Sequence, residues 1–268
     1  MKIIMKKITA IMLAAAIALA LYGCFGRGGT DDSSDNTSAQ TEVTDVKTEI
    51  YSVEVRREKT SAETYDAELT YPVIDGYSDG EIEEKINALV RAYIDKRVLE
   101  AVSGASAENR AHFKTVSFDV TCRGDRFFSA LIHASIAYDS SDISEENLSF
   151  GINADLAQAR LVSFGEIADF EKFAADFKLG AYTPTAGSEN ILDDTNYEDL
   201  LVQYGELYSI YPEFYLKSGA DSGYFGVIFE TVDLLGGYAE FEAPIGDKSY
   251  LNREFLEDAG LLKPESEN

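Results

Sequence analysis

From Ile82 to Val98 the apolar residues recur at steps of three and four: Ile82, Ile86, Leu89, Val90, Tyr93, Ile94 and Val98. That period sets them on one stripe of an α-helix. Ser78 and Glu81 form an S-x-x-E capping box before it, so the spacing predicts a helix over about 79–101. Alternation of period two surrounds this helix. Glu49 to Arg56 reads as a strand through Ile50, Val53 and Val55. Tyr65, Ala67, Leu69 and Tyr71 share one face of a second strand, which Pro72 is expected to end or to place at a sheet edge. Thr115–Cys122 and Arg126–Tyr138 read as a hairpin turning at Arg123-Gly124-Asp125, with Val116, Phe118, Val120 and Cys122 on one face. Asn147–Ile152 is a shorter strand. A second helix over Glu166–Phe177 turns Ile167, Phe170, Phe173, Ala174 and Phe177 inward. Residues 183–196 read as a polar surface loop. Strands follow at about Ser209–Lys217, Gly223–Phe229 and Tyr238–Ala243, and a short helix from Asn252 to Asp258 closes the chain. Strands dominate, and short turns rather than helical crossovers join them. The expected class is α+β: mostly antiparallel sheets packed with two main helices and a short C-terminal helix.

The N-terminus follows a different rule. Lys2, Lys6 and Lys7 precede an apolar run from Ile8 to Leu21, and then come Tyr22-Gly23-Cys24. A membrane-spanning helix needs about 20 apolar residues, and this run is shorter. The order of basic start, short apolar middle, small residue and cysteine is that of a bacterial lipoprotein signal peptide, although Tyr22 stands where a small residue is usual. Residues 1–23 are therefore expected to be removed and Cys24 to carry lipid. The protein is then held at the extracytoplasmic face of the cell membrane. Residues 24–48 are too polar to be buried and read as a disordered tether. The rest divides into an N-terminal half at 49–158 and a C-terminal half at 159–268 packed on it.

Charge narrows the partners. The chain has 23 basic and 48 acidic side chains, a net charge of −25. Loss of Lys2, Lys6 and Lys7 with the signal leaves 20 against 48, or −28. Such a surface repels nucleic acid and anionic lipid headgroups and attracts cationic partners, in a salt-sensitive manner. Of the two cysteines, Cys24 is assigned to lipid, which leaves Cys122 without an intramolecular disulfide partner.

Candidate chemistry is sparse. Gly76-Tyr77-Ser78-Asp79-Gly80 matches the G-x-S-x-G nucleophile elbow, with His112 and His133 downstream. Too little chain precedes it to build an oxyanion hole, and Ser78 is expected to cap the helix. Cys122 paired with a histidine has the form of a thiol nucleophile and base, but its strand position suits a small buried hydrophobe. Arg123-Gly124-Asp125 spells an adhesion tripeptide whose residues are also ordinary turn formers. No zinc pattern exists. Asp193–Asp199 alternates oxygen ligands like a calcium loop, but, counted from Asp194, Asp199 stands at the sixth position and Gly205 at the twelfth, where glycine and glutamate are needed. No metal or other cofactor is expected. Tyr197, Tyr204, Tyr208, Tyr211 and Tyr215 offer either core packing or a ligand-facing platform.

Tyr71-Pro72-Val73-Ile74-Asp75-Gly76, followed by Ile82–Glu84 and Ile86-Asn87, is similar to the opening of RsiV-like and PdaC-like extracellular domains. There a strand ends in a YP-x-I-x-G turn and a helix carries IN. Val162-Ser163-Phe164-Gly165-Glu166-Ile167 resembles the family's L-x-D-L-F step into a helix. Tyr211–Lys217, Gly223–Val232 and Gly237–Ala243 followed by Pro244 resemble its closing strands, with Glu230, Gly236-Gly237 and Glu242-Ala243-Pro244 at the places of its turn and final strand. The resemblance spans about residues 50–257. Where the family carries a Gly-Gly-Ala-His turn, this chain has Tyr138-Asp139-Ser140-Ser141-Asp142, so that histidine's role does not transfer. The resemblance implies an extracytoplasmic sensor or binding domain. The anti-sigma version binds lysozyme, a basic protein, and the deacetylase version is appended to a separate catalytic domain. The chain is accordingly expected to be the binding module alone, non-enzymatic, with a basic protein such as lysozyme or peptidoglycan as its partner. The alternative is an envelope hydrolase with Ser78 as nucleophile.

Overall fold

In the computed structural model the described residues are 50–140, 145–185, 192, 196–205 (backbone only over 202–205), 211–220, 222–230, 237–246 and 248–263. The signal segment, Cys24, the tether, most of the 183–196 loop and Tyr208 lie outside them. In chain order the elements are β1 (Ser52–Ser61), β2 (Tyr65–Asp75), α1 (Gly80–Ala101), β3 (Ala111–Arg123), β4 (Phe127–Tyr138), β5 (Glu146–Asp155) and β6 (Arg160–Leu161). Then follow α2 (Phe164–Ile167), α3 (Phe170–Lys178), β7 (Thr183–Pro184), α4 (Tyr197–Gly205), β8 (Glu213–Lys217), β9 (Tyr224–Glu230), β10 (Tyr238–Pro244) and α5 (Arg253–Asp258).

Two sheets result. The first has the order β1-β2-β3-β4-β5-β6 and the second β7-β10-β9-β8. All pairs are antiparallel except β2 with β3. The expectation of short turns alone therefore fails once: α1 is a crossover between two parallel neighbours. Parallel strands must be joined by such a return path. Ile86, Val90, Ile94 and Val98 of α1 are buried in one core with Phe128, Ala130, Ile132, Ala134 and Ile136 of β4. On the second sheet, Phe214, Leu216, Phe225, Val227, Phe229 and Phe241 face a core completed by Phe164, Ile167, Phe173, Phe177, Leu200 and Leu256 of the remaining helices. The order of layers is thus α1, first sheet, second sheet, remaining helices. The class is α+β with sheets dominant; of five described helices only α1 is long.

Several local expectations are corrected. Asp79, not Ser78, caps α1: its Oδ1 accepts from the amides of Glu81 (3.0 Å) and Ile82 (3.2 Å). Glu83 rather than Glu81 reaches back, accepting from the Tyr77 amide at 2.7 Å. Pro72 does not end its strand but pairs with Val55 inside β2. The β2–β3 ladder covers only Tyr65–Glu68 with Ala111–Lys114, so no partner on that side needs the missing proline N–H. Farther along, the Asn87 side chain stands in for a strand: its Oδ1 accepts from Ile74 N–H (2.9 Å) and its Nδ2 donates to Ile74 O (2.8 Å). β1 is an edge strand, which leaves Val55 49% exposed.

The face shared by Val116, Phe118, Val120 and Cys122 is broken as well. β3 carries register shifts at Thr115/Ser117 and Val120/Cys122. A bulge reverses which residues face a given side. Phe118 packs toward the α1 core, Val120 is exposed, and Cys122 joins the core beneath the second sheet. The helix expected over Glu166–Phe177 is two helices. Ala168 bridges to Leu251, and Asp169 starts α3 by accepting from Lys172 N–H at 3.2 Å. Thr183–Pro184 of the expected loop pairs with β10, and the helix α4 had no counterpart in the periodicity.

Candidate functional site

β8 is the edge strand of the second sheet, and its outer edge is buried against the first. Buried N–H and C=O groups must be paired. Three strands of the first sheet supply side chains for this. Asn153 of β5 donates Nδ2–H to Phe214 O at 2.7 Å. Ser129 of β4 accepts from Leu216 N–H at 3.1 Å and donates to Asn153 Oδ1 at 2.8 Å. Thr121 of β3 donates to Leu216 O at 2.7 Å, and its own carbonyl accepts from Ser218 N–H at 2.9 Å. Within a few residues β8 thus passes over β5, β4 and β3, so the sheets cross steeply. Gly151 makes the approach possible: a Cβ there would lie 1.6 Å from Phe214 O.

Beside this crossing lies a polar cluster. His133 Nε2 is 2.8 Å from Glu240 Oε1, and Ser149 Oγ donates to the same oxygen at 2.7 Å. An ionised Glu240 would accept from both neighbours, which requires the Nε2–H tautomer of His133. The Tyr238 ring stacks on His133 at 5.7 Å and 24°. Glu240 is 2% exposed, a buried carboxylate sustained by its hydrogen bonds. Burial, with Glu240 adding to it, pushes the Tyr238 hydroxyl up to about 12. Next along β10, Glu242 accepts from Tyr215 Oη (2.8 Å) and from Lys217 Nζ (2.8 and 3.0 Å). The Tyr215 ring crosses Gly226, where a Cβ would lie 2.3 Å from it.

Serine, histidine and glutamate meet here, but with glutamate in the middle. A nucleophilic relay needs the histidine between the serine and the acid. The cluster therefore holds His133 and Ser149 on one carboxylate and ties β4, β5 and β10 together. Glu240 and Ser149 escaped sequence reading because Tyr238, Glu240 and Glu242 alternate with Ala239, Phe241 and Ala243. That alternation assigns the polar set to water, whereas the first sheet covers it.

The other candidates are dispersed. Ser78 is exposed beyond the end of β2, while His112 pairs with Asp66 near its start. The nine steps from Asp66 to Asp75 span about 30 Å at the usual strand rise. His112 Nε2 is instead 2.7 Å from Asp139, and its Nδ1 3.5 Å from Asp66. Cys122 is a buried free thiol whose pKa burial pushes up. The Arg123-Gly124-Asp125 turn lies at the hairpin tip, where Tyr77 Oη donates to Asp125 O at 3.1 Å. Asp193–Thr195 lie outside the described residues. The rest of that run starts α4, with Asn196 Oδ1 accepting from the amides of Glu198 (2.9 Å) and Asp199 (3.0 Å). The described tyrosines do not share a platform. Tyr215 is buried between the sheets, Tyr197 packs on Phe177, and Tyr211 is 51% exposed with one face stacked on Phe164 at 5.4 Å.

No protein-family model matches the chain, and no curated protein matches it in sequence. Solved structures similar to it include two DUF3298 family proteins. A crystal structure of a DUF3298 family member from Bacteroides fragilis NCTC 9343 shares 13% identity over 80% of this chain and 97% of that one, with a TM-score of 0.48. A DUF3298 family protein from Pseudomonas aeruginosa PAO1 shares 8% identity over 75% of this chain and 93% of that one, with a TM-score of 0.41.

Proposed function

We propose that the chain is a non-enzymatic domain of the cell envelope, held at the extracytoplasmic face of the cell membrane by lipid on Cys24, and that it binds a basic protein such as lysozyme or cell-wall material. The observation that favours a basic protein is the charge: 48 acidic against 20 basic side chains once residues 1–23 are removed. The fold keeps much of that acidity in water, with Glu81, Glu84, Asp95 and Glu100 of α1 all exposed. Opposite charge of this size speeds encounter with a basic partner and weakens as salt rises. The likeness of the Tyr71–Gly76 and Ile86-Asn87 segments to RsiV-like and PdaC-like domains supports a wall-directed ligand.

The test uses the full chain, tagged at its C-terminus, in a bacterial host fed labelled palmitate. The label should enter the wild-type protein and be absent from Cys24→Ala. The membrane-bound protein should retain lysozyme or isolated peptidoglycan at low salt and release lysozyme at high salt. Label in Cys24→Ala defeats the anchor, and failure to retain either ligand at low salt defeats the binding role.

A further inference from the structure

The C-terminal part of α1 reaches the second sheet as well as the first. Arg97 sits there with its guanidinium 5.4 Å from the centre of the Phe150 ring. Three carboxylates converge on it: Glu100 of α1 at 2.9 Å, Glu213 of β8 at 3.7 Å and Glu230 of β9 at 3.2 Å. Tyr93 Oη bonds to the Glu213 carboxylate, 2.9 and 2.8 Å from its two oxygens. The Gly151 amide of β5 also reaches Glu213.

Lys96, 3.5 Å from Glu100 and over the Tyr93 ring, adds a second cation, so three carboxylates against two cations leave a surplus of one negative charge when all are ionised. Like charges sharing a site favour protonation of one member. The site chooses which one. Glu100 and Glu230 have side chains 44% and 46% exposed, so water disperses their charge; Glu213 is only 24% exposed. Burial holds the Glu213 carboxyl above the ordinary carboxylate range, against the opposing pull of Arg97 and Tyr93.

We propose that Glu213 is a proton-linked latch between α1 and the second sheet, so that this junction takes up a proton as the medium turns mildly acidic and is firmer with Glu213 neutral than with it ionised. A neutral Glu213 still accepts from Tyr93. Arg97 keeps Glu100 and Glu230, so protonation removes a buried charge without stranding the guanidinium. The sign follows from linkage: the folded state binds the proton more readily than the unfolded chain, so this group's contribution to folding grows as pH falls toward the carboxylate range.

The test compares urea unfolding of the full-length wild type and Glu213→Gln between about pH 7.5 and pH 4, a window that brackets the ordinary glutamate value of 4.5. The ratio of their unfolding constants should change across it, in favour of the wild type at low pH. It should change by about tenfold for each pH unit by which folding displaces the titration. Tyr93→Phe, which removes a donor to the ionised carboxylate, should move the change to higher pH. A ratio constant to within about twofold overturns the proposal. If Glu213→Gln fails to fold, the carboxyl 13C resonance of Glu213 in the wild-type protein decides it: a midpoint above the ordinary range supports the latch, and one inside the range overturns it.

Discussion

Replacing Gly151 by alanine tests whether the crossing of β8 over the first sheet depends on one missing side chain. The new Cβ would stand 1.6 Å from Phe214 O and 2.6 Å from Phe214 C. Ordinary contact begins near 3.4 Å, so β8 must retreat by about 1.8 Å (3.4 less 1.6). The Asn153–Phe214 bond of 2.7 Å does not survive that shift, and the bonds that Leu216 donates to Ser129 and accepts from Thr121 stretch with it. Overpacking alone costs about 1–3 kcal/mol, and each lost hydrogen bond adds about 0.5–1.5 kcal/mol. Alanine's smaller unfolded-state entropy returns at most about 1 kcal/mol. With all three bonds counted, the net expectation is a loss of about 2–7 kcal/mol against a total near 5–15 kcal/mol. Thermal unfolding followed by circular dichroism should show the midpoint falling by about 4 °C or more, at about 2–4 °C per kcal/mol for a domain of this size. Gly80→Ala is the control, because a Cβ there meets nothing within 4 Å. If Gly151→Ala stays within about 1 kcal/mol of the wild type, below the cost of ordinary overpacking, the steric argument is wrong.

Other outcomes follow from single contacts. Asp79→Ala should destabilise the protein by about 1 kcal/mol through loss of the helix cap, whereas Ser78→Ala should leave urea unfolding unchanged; the reverse order would restore the serine as cap. Asn87→Ala should cost about 1–3 kcal/mol, since it orphans the amide and carbonyl of Ile74, and should raise hydrogen exchange at Ile74 more than at Leu69. The Tyr71 hydroxyl, and after it the Arg91 guanidinium, hold the Glu58 carboxyl below its ordinary 4.5. Its contribution is therefore complete above 4.5 and lost as pH falls below it, so Glu58→Gln should flatten the acid limb of a stability–pH curve. An unchanged limb would show that this pair is fully screened.

Helix α1 was legible because its period is long and regular; Ile86, Val90, Ile94 and Val98 are buried as the stripe requires. The hairpin of β3 and β4 and the closing strands were also readable, for alternation over many residues has few other meanings. What failed was either a single irregular residue or a contact between distant parts of the chain. A bulge is one residue in thirteen along β3, and no composition marks it. The break at Ala168 is set by Leu251, more than eighty residues away, so no window of sequence contains it. The polar cluster was illegible for a deeper reason. His133, Ser149 and Glu240 lie on three strands, and only the packing of one sheet on the other brings them to one oxygen.

The neighbours Phe150 and Gly151 give the β4–β5 pairing a safeguard against misfolding. Phe150 is a fully buried ring packed toward α1, while Gly151 leaves room for the β8 backbone. A slip of one residue in that pairing would exchange the two sides. A phenylalanine would then meet a backbone that does not tolerate even a methyl group, and the helix side would lose a fully buried ring. The chain therefore rejects the shifted ladder twice, once by collision and once by a void. Only the correct register lets the second sheet close over the first.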